Sequence, residues 1–151
     1  MLGDKVKRIL KRTFVKDEGM FDYHQNGQKR KEIKWIDKNE GIKSEIWWDE
    51  CGRKETESIL NYHGEYHGLQ TEWYENGRKK IEGSYSYNDK DGLWTLWYES
   101  GRKKREVFYN SGVKDGVCTE WYENGRKKKE QFYEENEIMD VETWDKDGNK
   151  T

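Results

Sequence analysis

Trp73-Tyr74-Glu75-Asn76-Gly77-Arg78-Lys79-Lys80 recurs as Trp97-Tyr98-Glu99-Ser100-Gly101-Arg102-Lys103-Lys104 and again as Trp121-Tyr122-Glu123-Asn124-Gly125-Arg126-Lys127-Lys128, at an interval of 24 residues. Weaker copies extend the series in both directions: Trp48-Asp49-Glu50-Cys51-Gly52-Arg53-Lys54 and Tyr23-His24-Gln25-Asn26-Gly27-Gln28-Lys29 upstream, and Trp144-Asp145-Lys146-Asp147-Gly148-Asn149-Lys150 at the end. The glycines at 27, 52, 77, 101, 125 and 148 are spaced by 25, 25, 24, 24 and 23 residues, so six units fill most of the 151-residue chain. A period of this size marks a supersecondary unit that cannot bury its apolar face alone and gains stability from its neighbours.

Each unit reads as a β-hairpin. A short alternating stretch such as Leu93-Trp94-Thr95-Leu96-Trp97-Tyr98 precedes the glycine, and Lys103-Lys104-Arg105-Glu106-Val107-Phe108-Tyr109 follows it; both are rich in aromatic and β-branched residues and have strand length. The corner suits a type I turn closed by a left-handed glycine as a G1 bulge. The alternative type I′ turn needs positive φ at the residue before the glycine, which Ser100, Cys51 and Asp147 tolerate less well than asparagine. That pairing sets Glu72 opposite Lys80 and Glu120 opposite Lys128. A second turn, read at Asn88-Asp89-Lys90-Asp91-Gly92 and Ser111 to Gly116, with Gly64 and Gly68 upstream, joins unit to unit. The expected fold is therefore all-β: an elongated antiparallel meander of about six tandem hairpins and roughly a dozen strands, in a single-layer or curved sheet. Residues 1–18 are expected to form a basic half-repeat, with a half-unit near Gly3, and residues 19–151 the array.

The even spacing also names a core. Trp48, Trp73, Trp97, Trp121 and Trp144, with Tyr23, occupy one column. Phe21, Ile46, Thr71, Thr95 and Thr119 lie two residues earlier, and Leu69, Leu93 and Val117 four earlier; all are expected on the buried face. Trp35, Leu60, Tyr85, Tyr109 and Tyr133 form a further column. Aromatic rings bury about 150–250 Å² each, which is how a chain with 40% charged and 31% hydrophobic residues but 15% aromatics holds together. The stems of Lys79, Lys103 and Lys127 are expected over ring faces. On the opposite pleat, Tyr74, Tyr98 and Tyr122 with Trp94 and Leu96 suggest an exposed aromatic strip suited to binding another protein, because tyrosine and arginine are frequent interface anchors.

Little else points to chemistry. The formal net charge is −2, which removes the overall field that nucleic acids or anionic membranes attract. Charge is nevertheless segregated, from +5 over residues 4–16 to −7 over residues 130–147. Such an acidic end either protects a sheet edge or attracts a basic partner. Cys51 and Cys118 lack metal-ligand spacing and fit a reducing, cytoplasmic compartment. His63 and His67 are four apart, but in a turn region, where that spacing does not make a shared face. The column Glu32, Glu57, Glu82, Glu106, Glu130 reads as a charge ladder against neighbouring lysines rather than a catalytic pair. No Gly-x-Ser-x-Gly elbow or phosphate loop is present, so the expectation is no catalytic residue, no metal and no cofactor. The first fifteen residues hold basic side chains and scattered apolar ones without an apolar run of secretory length.

The Trp-Tyr-Glu-Asn-Gly-Arg-Lys-Lys block, its period, and the Tyr109, Gly112, Asp115, Gly116 passage resemble MORN repeats, over about residues 19–150. The likeness is nearer to the bacterial variant of YwqK-like antitoxin proteins than to the eukaryotic form. What the resemblance implies is a non-enzymatic hairpin array used for protein contacts, in several cases to neutralise a toxin partner as an antitoxin or immunity protein. The alternative it offers is a scaffold at a membrane surface or phospholipid headgroups.

Overall fold

The computed structural model describes residues 14–15 and 19–151. Twelve strands form one antiparallel sheet in sequence order: β1 Phe14–Val15, β2 Gly19–Tyr23, β3 Lys29–Asp37, β4 Ile42–Trp48, β5 Lys54–Leu60, β6 Tyr66–Trp73, β7 Lys79–Ser86, β8 Asp89–Trp97, β9 Lys103–Asn110, β10 Val113–Trp121, β11 Lys127–Glu134 and β12 Glu137–Thr143. Each strand pairs with its sequence neighbours, as short connections require. No second layer covers either face among the described residues. The expected half-repeat at the start lies outside the described residues, apart from the β1 backbone, which pairs with Gly19 and Met20.

The recurrent corner is a type I turn with a G1 bulge. At Tyr74 to Arg78, the Gly77 amide donates to the Tyr74 carbonyl at 2.9 Å and the Tyr74 amide to the Arg78 carbonyl at 2.8 Å. Gly77 has φ 79°, a conformation that costs glycine nothing and an L side chain much. The bulge moves the register by one, so Glu72 pairs with Ile81 and Glu120 with Lys129. The long side chains still meet, with Lys80 at 3.5 Å from Glu72 and Lys128 at 4.0 Å from Glu120.

The second connection is tighter than its composition suggests. Tyr87-Asn88 (φ 49° and 70°), Ser111-Gly112 (48° and 84°) and Glu135-Asn136 (47° and 71°) are two-residue turns with both residues left-handed, the type I′ geometry that follows strand twist. Gly92 and Gly116 therefore lie inside β8 and β10, not at the turn. There the register runs Glu82↔Thr95 and then Ser84↔Asp91, placing four residues of β8 against two of β7. β10 does the same against β9, from Lys114↔Tyr109 to Cys118↔Val107. The extra length is absorbed at the left-handed glycines, which re-aims the side chains that follow.

Candidate binding face

Pairing sorts the side chains onto two faces. On one, Thr71, Glu82, Thr95, Glu106, Thr119 and Glu130 stand side by side across six strands. The threonine hydroxyls donate to the next glutamate, as from Thr71 to Glu82 at 3.3 Å. Each glutamate also meets the lysine three residues before it: Lys29–Glu32 at 3.0 Å, Lys54–Glu57 and Lys127–Glu130 at 2.8 Å, and likewise Lys79–Glu82 and Lys103–Glu106. Four of the same ammonium groups reach the tryptophan of the following unit: Lys29 lies 5.1 Å from the Trp48 ring centre, Lys54 4.9 Å from Trp73, Lys79 5.9 Å from Trp97 and Lys127 5.0 Å from Trp144. We call this the ionic face. Its tryptophan column is half-buried under lysine stems.

The tightest packing is on the opposite, aromatic face. Trp94, expected in an exposed strip, is only 3% exposed. The bulge at Gly92 turns its indole over Gly83, where a Cβ would lie 2.2 Å from the ring. The indole N–H donates to the Ser84 carbonyl at 3.0 Å. Tyr85 meets the ring edge-on at 4.9 Å and Tyr109 at 6.5 Å, while the Lys90 ammonium lies 4.3 Å from its centre. Val107, Cys118 and Tyr133 continue this core. Burial raises the Tyr85 and Tyr109 phenols above their ordinary pKa, as desolvation of the charged form requires. Leu96 is half-buried on the same face.

Tyr74, Tyr98 and Tyr122 stitch unit to unit. Their hydroxyls donate to the carbonyls of Trp97, Trp121 and Trp144 at 2.7, 2.7 and 2.9 Å. Asn76 donates to the Glu99 carbonyl and Arg78 to the same oxygen; Asn124 and Arg126 treat Lys146 alike. The Trp-Tyr-Glu-Asn-Gly-Arg block is thus a device for registering one turn on the next.

What remains open is an apolar row. Leu69, Leu93 and Val117, expected to be buried, lie on the ionic face with Phe108 and Phe132, and all five are between 41 and 54% exposed. Leu93 pairs with Phe108 and Val117 with Phe132. These side chains have the parity of the Thr/Glu row but sit beyond the reach of the lysine stems, and a single-layer sheet has nothing else to lay over them. Ser84 interrupts the row at β7, between Leu69 and the stretch from Leu93 to Phe132; an exposed apolar row of this kind marks a contact surface more often than scattered apolar residues do.

Residues 66–87, 90–111 and 114–135 match the family described as the MORN repeat variant. These three consecutive units are MORN repeats. No curated protein matches the chain. The three matched repeats carry the apolar row and Trp94, and the left-handed turns at Tyr87-Asn88 and Ser111-Gly112 fall at the joins between them, so the MORN pattern and the candidate face coincide. A MORN array is a binding scaffold, which agrees with a site made of a surface rather than a pocket. Among the described residues no group of three His, Cys, Asp or Glu side chains is placed to hold a metal ion, and no helix is long and apolar enough to cross a membrane. His63 meets Tyr62 at 3.7 Å and His67 meets Tyr87 at 4.7 Å, both as tilted ring pairs in separate contacts.

Proposed function

We propose that this protein is a non-enzymatic scaffold that captures another protein on its ionic face, with the row Leu69, Leu93, Phe108, Val117, Phe132 as the contact. The carrying observation is that five large apolar side chains stand exposed and aligned in the repeats where the array is most regular. Tyr74, Tyr98 and Tyr122, with Leu96 beside them, offer a subsidiary strip on the other side. The finer reading is neutralisation of a toxin as an antitoxin or immunity protein in the cytoplasm, where the free thiols of Cys51 and Cys118 suit a reducing environment.

The test is affinity capture from the native cell with the wild-type chain and with Phe108→Ser/Phe132→Ser. A specific protein recovered by the first and lost by the second, with both variants melting alike, supports the reading. Recovery of no specific protein, or equal recovery by both, sinks it. Co-sedimentation with anionic liposomes tests the membrane alternative, which the acidic side chains beside the row disfavour.

A further inference from the structure

The chemistry of the partner is written beside the row. On its inner side the ionic face is neutralised, because Glu82, Glu106 and Glu130 each hold a lysine. On the turn side it is acidic. Asp91 pairs across from Ser84, which also pairs with Leu69; Asp140 pairs across from Phe132; Asp115 repeats the Asp91 position one period later; and Glu134 follows Phe132 by two along β11. Among the described residues none of these four carboxylates forms an ion pair; Lys150, whose pKa Asp140 helps to raise, is itself held by Glu142. The lysines that could have neutralised them, Lys90 and Lys114, are folded onto the aromatic face over Trp94 and Tyr133. An open hollow lined by Asn110, Ser111, Val113, Asp115, Glu135 and Asn136 continues this acidic side.

The geometry of the row selects the shape of its occupant. It crosses the strands at right angles, from β6 to β11, over about 24 Å at the usual strand spacing of about 4.8 Å. The backbones of these inner strands are already paired on both sides, so an added strand has no hydrogen bonds to make there. An α-helix laid along the row offers one apolar side chain per turn, every ~5.4 Å, close to the strand spacing, and about 16 residues of helix cover it. Resting on the reading of this row as a protein-contact surface, we propose that its partner docks a cationic amphipathic helix, with apolar side chains on Leu93, Phe108, Val117 and Phe132 and its lysines or arginines toward Asp91, Asp115, Glu134 and Asp140.

The test uses the full chain and three labelled 18-residue peptides followed by fluorescence anisotropy: a leucine/lysine peptide of helical period, a leucine/glutamate peptide of the same period, and a strictly alternating leucine/lysine peptide. The helical leucine/lysine peptide is expected to bind about tenfold or more tightly than either other, and to weaken with added salt. Phe108→Ser/Phe132→Ser should cost at least about tenfold. Asp91→Asn/Asp115→Asn/Asp140→Asn, all at exposed or half-exposed positions, should cost roughly three- to tenfold and flatten the salt dependence. Equal binding of the acidic or alternating peptide, or indifference to the asparagine variant, overturns the cationic helix while leaving the row as a contact surface. Binding of every peptide that ignores the Phe108/Phe132 change, or no binding at all, overturns the helix as well, and the former removes the row itself. A dimer in sedimentation that Phe108→Ser/Phe132→Ser dissociates makes a second copy the occupant and also overturns it. Circular dichroism and melting of each variant show that a lost signal is not lost folding.

Discussion

The repeats over residues 66–135 and the units before them, residues 19–65, use the same hairpin but hold it together differently. In the later repeats, tyrosine hydroxyls, asparagine amides and arginines of one turn bind carbonyls of the next, and the bulges at Gly92 and Gly116 drive Trp94 and Cys118 into the aromatic core. The first earlier unit keeps this pattern, with His24 Nε2 2.8 Å from the Trp48 carbonyl in the tyrosine's place and Asn26 donating to the Glu50 carbonyl; the difference comes one unit later. Asp49 does not reach the following unit. Its carboxylate instead accepts from the Cys51 and Arg53 amides and from the Arg53 guanidinium of its own turn. The connection at Asn61 to Glu65 is again a five-residue bulged turn rather than a type I′ pair. Across that boundary, β5 against β6, the exposed Arg53–Glu75 ion pair at 3.6 Å stands where the later repeats have hydrogen bonds to carbonyls, and because a repeat array gains its stability from neighbour contacts, cooperativity there is expected to be lower.

The largest break in this contrast is expected at Trp94. Trp94→Ala removes the most enclosed indole and should cost about 3–5 kcal/mol, measured by urea unfolding. Trp48→Ala, at a half-buried ring under Lys29, should cost clearly less. Gly83→Val tests the same contact from the other side and should be comparably damaging, because its side chain and the Trp94 ring claim one volume. Equal losses at Trp94 and Trp48 would mean that the two faces share the core evenly.

Next in size is the stitching. Tyr74→Phe/Tyr98→Phe/Tyr122→Phe keeps every ring and removes the hydroxyl bonds, at about 0.5–1.5 kcal/mol each. Hydrogen exchange should show the loss as faster amide exchange across residues 66–135, approaching that already expected of residues 19–65 in the wild type. Partner capture that survives this variant confines the tyrosines to the architecture.

Acid acts on both regions, and a single substitution separates them. At Glu32, burial works to raise the carboxyl pKa, but hydrogen bonds from Lys34 and Lys29 outweigh it and hold the pKa below the ordinary range. Glu130 is held low by its hydrogen bond from Lys127, against burial. A depressed folded pKa gives stability that is complete above the unfolded carboxylate range and lost as pH falls through the folded value. Both regions should therefore melt at lower temperature below about pH 4. Glu32→Gln should remove part of that slope from the amides of β2 to β4 and leave β9 to β11 unchanged. A slope unaltered at β2 to β4 would show that Glu32 is not its source.

The period, the bulged corner and the strand order were all readable because they depend on backbone and glycine, which a repeat displays many times. Lysine stems over tryptophans were readable for the same reason at Lys79 and Lys127, whereas Lys103 is held by Glu106. The core was not. Parity alone places Leu93 with Trp97, and it does so correctly; what parity does not show is that a one-layer sheet covers only those residues within reach of a neighbour's long side chain. Trp94 was misplaced because Gly92 was read as part of a turn. The available signal was Gly83, a glycine within a strand pattern, which marks close approach of another group. The acidic flank of the row was legible only as net charge, since its position depends on where Lys90 and Lys114 fold.

The smallest effect is the most discriminating, because it rebuilds a boundary instead of breaking one. Asp49→Tyr alone supplies a hydroxyl toward Trp73 but removes the carboxylate that caps its turn, and the two changes should nearly cancel. In the regular repeats that cap comes from asparagine, Asn76 Oδ1 accepting from the Arg78 amide at 3.0 Å while its amide reaches Glu99. Asp49→Tyr/Cys51→Asn therefore restores both functions and should gain about 0.5–1 kcal/mol, with slower exchange at β5 and β6 and a sharper unfolding transition. If the double variant is no more stable than Asp49→Tyr, the block acts in each turn separately and not as a link between units.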